Sequence, residues 1–522
     1  MKISEKIILN TNYFILLFAT IFLFIVLNLI NGINTIYIDL FGKRIKVNDS
    51  IVLKENGEYY LSYSYIKENL DNEIYFDNIS RKVVISSEIG LLKARIDEKS
   101  INVNYEEISI NNIGVVEKEE RYISLEVLKK AYGLDITVCN NTIYIYKNIS
   151  FDGKVKYNNI NIYLSSNVKS KIVDYVDKRD KIKAIYEKDN FVFVKVNEKT
   201  VGYISKNSLK YSIKNEEIKQ NNLEPKNYIF ADSSGTKIES GMPINGVLVD
   251  MFEVTQVSAT VNEKSINSKL NASITQNGYK LYGIVNNGYN LSGFNTATMS
   301  QILSDETKRL NLINNLSSKI EKYNLEGIVI DFKRLKEKDI SNYIQFVKEF
   351  KAFSGKEVIV NIDANEYKSL INIINYSDFS IINTYGQRDL KSTVSGSISE
   401  IGWMKGIIEN TLKEVDNNKL VIGIPAYTIL WTEKNSRVVD SEIYNLKAIK
   451  DYISKNELDV KEVNGQNYVE MNKGSLVYRM WLEDELSIKN RINLIKENNL
   501  AGIAIYKLGY ENNTLIDILK NS

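Results

Sequence analysis

The chain opens on a run without a charged position. Residues 13–30 (YFILLFATIFLFIVLNLI) are apolar apart from Thr20 and Asn28 as clear polar breaks. At about 1.5 Å rise per residue, such a helix approaches the roughly 30 Å hydrocarbon core of a bilayer. Lys2 and Lys6 precede it against a single Glu5, which favours a cytoplasmic N-terminus. A cleaved signal peptide competes with this reading, but its apolar core is usually shorter and no small-x-small site follows. The pattern predicts a cytoplasmic tail over 1–12 and a transmembrane signal anchor over 13–31, with the bulk of the chain on the outer, cell-wall side.

Beyond the anchor the pattern repeats itself. Tyr60-Leu61-Ser62, a helical stretch Tyr63–Leu70 and strands Glu73–Asp77 and Lys82–Ser86 recur as Tyr122-Ile123-Ser124, Leu125–Tyr132, Asp135–Cys139 and Thr142–Tyr146. The spacing of about sixty residues is too long for a solenoid, so it predicts two copies of one strand–helix–hairpin unit in an α+β domain over 35–149. Val155–Leu209 then reads as five or so short strands, a small β domain over 150–212. A Lys-, Glu- and Asn-rich linker is expected over 213–240. From 241 to 522 short apolar strands alternate with amphipathic helical stretches: Gly246–Phe252, Lys280–Val285, Gly327–Phe332, Glu357–Ile362, Phe379–Tyr385, Leu420–Tyr427, Val477–Leu482 and Ala501–Tyr506. Eight such strands predict a (β/α)8 TIM barrel with its site at the strands' C-terminal ends.

Composition narrows the chemistry. The 522 residues include no histidine and one cysteine, which excludes Ser-His-Asp or Cys-His catalysis, His-ligated zinc and an internal disulfide. Cys139 sits in an alternating run and reads as a small core or edge residue. No metal or cofactor is expected. The net charge of +2 argues against a nucleic-acid binder. Its distribution says more, because residues 151–214 hold 14 Lys/Arg against 7 Asp/Glu, a basic module in an otherwise acidic chain.

Three resemblances follow from these phrases. The duplicated unit resembles the copper amine oxidase N-terminal-like domain of Gram-positive envelope proteins, although no copper ligand set is visible, and it implies a structural or wall-contact spacer. The strands around Asn190–Val196, Gly202-Tyr203-Ile204 and Ser208-Leu209 resemble a bacterial SH3-like domain. Such a domain implies binding to peptide or wall polymer, and the excess basic charge suits an anionic wall polymer; a solvated basic surface without a ligand is the other reading. The third resemblance rests on Tyr323–Phe332 (YNLEGIVIDF), Asn383-Thr384-Tyr385, Leu420–Trp431 (LVIGIPAYTILW), Trp481–Glu485 (WLEDE) and Ala501–Ala504 (AGIA). Together these resemble glycoside hydrolase family 18, in particular its SH3-associated bacterial branch of spore-cortex and wall N-acetylglucosaminidases.

That resemblance implies a signature D-G-x-D-x-D-x-E at the end of a barrel strand. Its Glu protonates the glycosidic oxygen, and the Asp two residues earlier orients the substrate's own N-acetyl group as nucleophile. On this chain the first Asp becomes Glu326, the second Val329, the third is kept as Asp331, and the Glu becomes Lys333. A later Tyr-Asp pair becomes Tyr385-Gly386, and the Trp of the last strand becomes Tyr506. An ammonium puts positive charge beside a developing oxocarbenium or oxazolinium ion, the wrong sign for that transition state. Lys333 is therefore expected to pair with Asp331 two residues back on the same strand face; a Schiff-base lysine would need a carbonyl substrate and a depressed pKa.

Glu253, Asp363, Glu366 and Glu511 are carboxylates near strand ends that would have to face the mouth to rescue catalysis. Asp331, Tyr385, Tyr427, Trp431 and Tyr506 are the candidate substrate-binding residues, the aromatics forming either a floor for a sugar ring or simply the packed top of the barrel. The expected function is a membrane-anchored envelope protein whose barrel has lost catalysis and binds N-acetylglucosamine-containing glycan, peptidoglycan or chitin-like, or serves as an envelope or spore scaffold. An active glycosidase with a non-standard acid and a protein-interaction platform are the alternatives.

Overall fold

The computed structural model describes residues 35–211 and 225–521, apart from 49, 78–80, 88, 97, 105, 118, 149 and 291–292. The apolar run at 13–31 therefore lies outside the described residues. Among the described ones, no helix is long and apolar enough to cross a membrane. The chain divides into two compact units, Met1–Lys219 and Gln220–Ser522.

In the first unit the sequence repeat is a structural one. Strands Glu58–Ser62 and Glu120–Ser124 each run into a helix, Tyr63–Asn69 and Leu125–Tyr132. Each helix is capped by the serine that ends its strand: Ser62 Oγ accepts from Tyr65 N at 3.2 Å and Ser124 Oγ from Val127 N at 3.3 Å. These bonds satisfy amide groups that a helix start leaves open. The two copies meet antiparallel, Leu61 opposite Ile123, over a core that includes Leu61, Ile66, Ile123, Val127 and Leu128. The basic segment folds as seven antiparallel strands between Phe151 and Tyr211, two more than the pattern suggested. Val155–Leu164 splits at a turn into two strands, and Leu209–Tyr211 adds a last one. This sheet shares a core with the duplicated unit through Tyr144, Tyr146, Phe193 and Tyr203. The buried Asp39 carboxylate takes bonds from Gly42 N at 2.8 Å and Tyr203 Oη at 3.2 Å.

The second unit is a closed parallel barrel of eight strands: β1 Tyr228–Asp232, β2 Gly246–Val254, β3 Lys280–Asn286, β4 Gly327–Asp331, β5 Glu357–Asp363, β6 Phe379–Asn383, β7 Leu420–Pro425 and β8 Gly502–Tyr506. Parallel pairing of β1 with both β2 and β8 closes it. Two strand assignments change as a result. The first strand, Tyr228–Asp232, lies within the stretch read as linker, so the barrel begins before 241. Leu476–Trp481 is not a barrel strand. It pairs antiparallel inside a five-stranded sheet inserted between β7 and β8. An apolar run that alternates reads alike whether its neighbours run parallel or antiparallel, which is why periodicity alone misplaced it.

Alternation along each strand separates two cores. Ile328 and Ile330 of β4 face the surrounding helices. Val329 points into the barrel with Tyr228, Leu248, Tyr282, Ile359, Phe379 and Val421, as the period of two requires. The approach to β4 is fixed locally. Helix Glu306–Tyr323 starts on the Asp305 side chain and ends at Asn324, which adopts the left-handed conformation at φ 49°, a conformation Asn tolerates better than most residues. Gly327 then passes so close to β5 that a Cβ would lie 2.2 Å from Glu357 O.

Candidate functional site

The C-terminal ends of the strands carry a ring of polar side chains over the apolar barrel core: Asp232, Asp250, Asn286, Asp331, Asp363 and Asn383. With Phe230, Tyr385, Tyr427, Tyr506 and two lysines they line a cavity of about 320 Å³.

At its base lies one cation between two carboxylates. Lys333 Nζ is 2.6 Å from Asp331 Oδ1 and 2.6 Å from Asp363 Oδ1. The pairing with Asp331 is the one the strand period predicts; the bond to Asp363 comes from the neighbouring strand β5 and was not foreseen. Asn361 Nδ2 donates to Asp331 Oδ1 at 2.7 Å, and Asn383 Nδ2 to Asp363 Oδ1 at 3.4 Å. The backbone of Lys333 is held by the fully buried Asn287, whose Oδ1 accepts from Lys333 N at 2.9 Å while its Nδ2 donates to Lys333 O at 3.0 Å. Asn287, Asn361 and Asn383 are positioning residues that sequence reasoning missed. Only their places at or just past strand ends could have pointed to them.

Electrostatics reinforce this arrangement. Burial alone would lower the Lys333 pKa, but Asp331 and Asp363 outweigh it and hold it above the usual lysine value. Lys333 is therefore a firmly protonated ammonium, the opposite of what imine formation requires. Burial raises the Asp331 carboxyl, with Lys333 pulling the other way.

The remaining members of the signature are dispersed. Val329 is packed inside the barrel and offers no polar atom to the mouth. Glu326 sits at the opposite end of β4, partly exposed, with Lys280 Nζ at 3.3 Å. Of the rescue carboxylates only Asp363 lines the cavity. Glu366 accepts from Arg334 N at 2.9 Å, and Glu511 from Gly509 N at 2.6 Å; neither they nor Glu253 line the mouth.

Among the aromatics, Tyr385 stands with its ring 5.0 Å from that of Tyr506, and the Tyr427 ring lies 6.1 Å from that of Tyr506. The three form one wall. Trp431 is a correction: it is fully buried behind them, its indole Nε1 donating to Gly396 O at 2.9 Å. Its place in the inserted sheet carries it away from the mouth. Lys507, just past β8, pairs with Asp232 at the end of the adjacent strand β1. Among the described residues no group of three Asp, Glu or Cys side chains is placed to hold a metal ion. The chemistry present is aromatic surface, hydroxyls, one exposed salt bridge and a cation locked between two carboxylates.

Comparison with known proteins agrees with this geometry. The profile of Glycosyl hydrolases family 18 matches residues 199–511, and that of the Copper amine oxidase N-terminal domain matches 39–146. Over 250 residues the chain is 25% identical to the uncharacterized glycosylase YvbX of Bacillus subtilis, covering 44% of this chain and 72% of that one. Over 230 residues it is 26% identical to the cortical fragment-lytic enzyme of the same organism, covering 40% of this chain and 52% of that one, about half its length. The crystal structure of the Bacillus cereus spore cortex-lytic enzyme SleL superposes with a TM-score of 0.51 at 20% identity, over 57% of this chain and 74% of that one. At this identity the superposition speaks to fold.

Proposed function

The chain belongs to the glycosyl hydrolases family 18, and from that premise we propose that its barrel holds an N-acetylglucosamine-containing glycan in the mouth cavity without hydrolysing it. The observation that carries the reading is Lys333. It stands where the family signature has its general acid, and it is bound to both carboxylates within reach. A group that must give up its proton at the glycosidic oxygen is here a stabilised ammonium, and its charge opposes the cationic transition state. The Tyr385–Tyr506–Tyr427 wall, its rings inclined to one another by 35° and 64°, provides aromatic surface against which a sugar ring packs. Among the described residues the bonds to Asp331 fall on Oδ1, which leaves Oδ2 for an amide N–H. Relatives named as cortex-lytic support peptidoglycan as the source of the glycan. Incubating the full chain with chitooligosaccharides and with peptidoglycan tests the reading: binding without new reducing ends supports it, and robust turnover refutes it.

A second reading has one observation in its favour, the convergence of Asp331 and Asp363 on one point of the mouth. If Asp363 served as a non-standard acid, turnover would be present in the native chain and lost in Asp363→Asn.

The same proposal places the barrel outside the cell. The charge-free run at 13–31 acts as a signal anchor, and the basic segment 151–214 contacts anionic wall polymer. Membrane fractionation with protease protection tests the anchor; recovery of the full chain in the soluble fraction argues against it.

A further inference from the structure

Beside the mouth the second unit has another cavity of about 320 Å³, lined among others by Gln387, Arg388, Glu400, Asn464 and Trp481. Its floor is a buried network with its own partners satisfied. Ser397 Oγ donates to Gln466 Oε1 at 2.7 Å, Gln466 Nε2 to Glu483 Oε1 at 3.0 Å, and Arg491 Nη2 lies 2.7 Å from Glu483 Oε1.

The loop that forms the wall is pinned at several points. Gln387 N donates to Ile398 O at 3.0 Å, Glu400 N to Gln387 Oε1 at 2.9 Å, and Trp431 Nε1 to Gly396 O. The Arg388 stem lies against Gly396, where an added Cβ would stand 3.2 Å from Arg388 Cγ. What this held loop presents is unspent. The Arg388 guanidinium gives one bond, to Gln387 O at 3.1 Å. It has no ion pair among the described residues, and neither the Glu400 carboxylate nor the Trp481 indole N–H has a partner there. Trp481 packs in the same apolar cluster as Tyr427 and Tyr506 of the mouth. Tyr385 of the mouth is three residues before Arg388, a chain distance of at most about 11 Å. The linings of the two cavities are therefore close neighbours.

We propose that this second cavity is a sugar subsite that takes a carboxylate-bearing sugar adjoining the N-acetylglucosamine held in the mouth. Arg388 pairs with the carboxylate in the planar geometry a guanidinium offers, Trp481 covers a ring face, and Glu400 accepts a hydroxyl. The inference rests on the glycan-binding reading and sharpens it: the chain selects a strand in which acidic and neutral amino sugars alternate over a neutral homopolymer.

The test titrates the full chain with two tetrasaccharides of equal length. One alternates N-acetylglucosamine with N-acetylmuramic acid carrying free lactyl carboxylates; the other is chitotetraose. The expected result is about tenfold tighter binding of the acidic probe, the scale of one charge-assisted pair. Arg388→Ala removes that preference, so that the two probes bind alike, while Arg388→Lys retains part of it. Equal affinity for the two probes, or a preference that survives Arg388→Ala, overturns the subsite and leaves the mouth reading standing. Failure to bind either probe overturns the glycan reading itself, and the subsite with it.

Discussion

Replacing Lys333 by methionine keeps the length of the side chain and removes the charge, so it isolates what the ammonium does. In the native chain two contacts of 2.6 Å bring Asp331 and Asp363 onto one nitrogen, which puts their Oδ1 atoms within about 5 Å of each other. Two unit charges at that separation repel by roughly 3 kcal/mol at an effective dielectric of 20. Removing one partner of a buried ion pair costs a similar amount, about 3–5 kcal/mol. Side-chain exposures of 9% for Lys333 and 19% for Asp331, against 39% for Asp363, place the loss at the lower end. At roughly 2 °C per kcal/mol for a domain of this size, Lys333→Met should unfold about 6 °C below the native chain at pH 7.

The pH dependence carries the sign. Lys333 is raised above its unfolded value, so its contribution is complete below the unfolded lysine pKa and is lost only as pH climbs through the folded one. The Asp331 carboxyl is also raised. The folded state therefore binds that proton first, and the cost of ionised Asp331 is relieved as pH falls from its folded value towards the unfolded one near 3.9. Without Lys333 the relief is larger. The Tm gap between variant and native chain should therefore narrow on acidification from pH 7 to pH 4.5, followed by circular dichroism. A variant within 1 °C of the native chain at pH 7, with no change in the gap at lower pH, would refute the claim that the ammonium ties these carboxylates together.

Other substitutions probe separate links of the argument. Lys333→Glu alone should yield no more chitooligosaccharide hydrolysis than the native chain, because Val329 and Gly386 still depart from the signature; substantial turnover in that variant would show that one residue blocks catalysis. Gly327→Ala drives a Cβ onto Glu357 O and should destabilise the barrel by about 3 kcal/mol or abolish its folding, read by denaturant titration. Ser124→Ala removes one of the two matched helix caps and should cost the first unit about 1 kcal/mol, with Ser62→Ala costing a similar amount. Tyr506→Ala removes the ring that both Tyr385 and Tyr427 pack against and should weaken N-acetylglucosamine oligomer binding about tenfold, measured by calorimetry.

What the sequence made legible follows the range of each interaction. The strand–helix–hairpin repeat could be read because its signals are local: a strand ending in serine, then an amphipathic turn. The barrel could be read because its alternation repeats many times. Its first strand, Tyr228–Asp232, could not, since five residues after a polar stretch carry too little pattern to stand out. The Lys333–Asp331 pair lies within one strand face and was visible; Asp363 reaches the same nitrogen from thirty residues away, through a register that only the closed sheet fixes. Trp431 shows the reverse error. Its chemistry suits a sugar floor, but the strand that carries it leaves the barrel and buries it behind Tyr427. The cavity beside Trp481 depends on a loop closing upon itself, and no local pattern announces that.

The central claim is that this family 18 barrel retains its glycan and not its acid. Its most direct test follows a defined N-acetylglucosamine oligomer incubated with the full chain, reading binding by calorimetry and the fate of the sugar by mass spectrometry in the same sample. The account predicts saturable binding, weakened by Tyr506→Ala, with the oligomer recovered at its starting length. Shortened products that depend on Asp331 or Asp363 would contradict it.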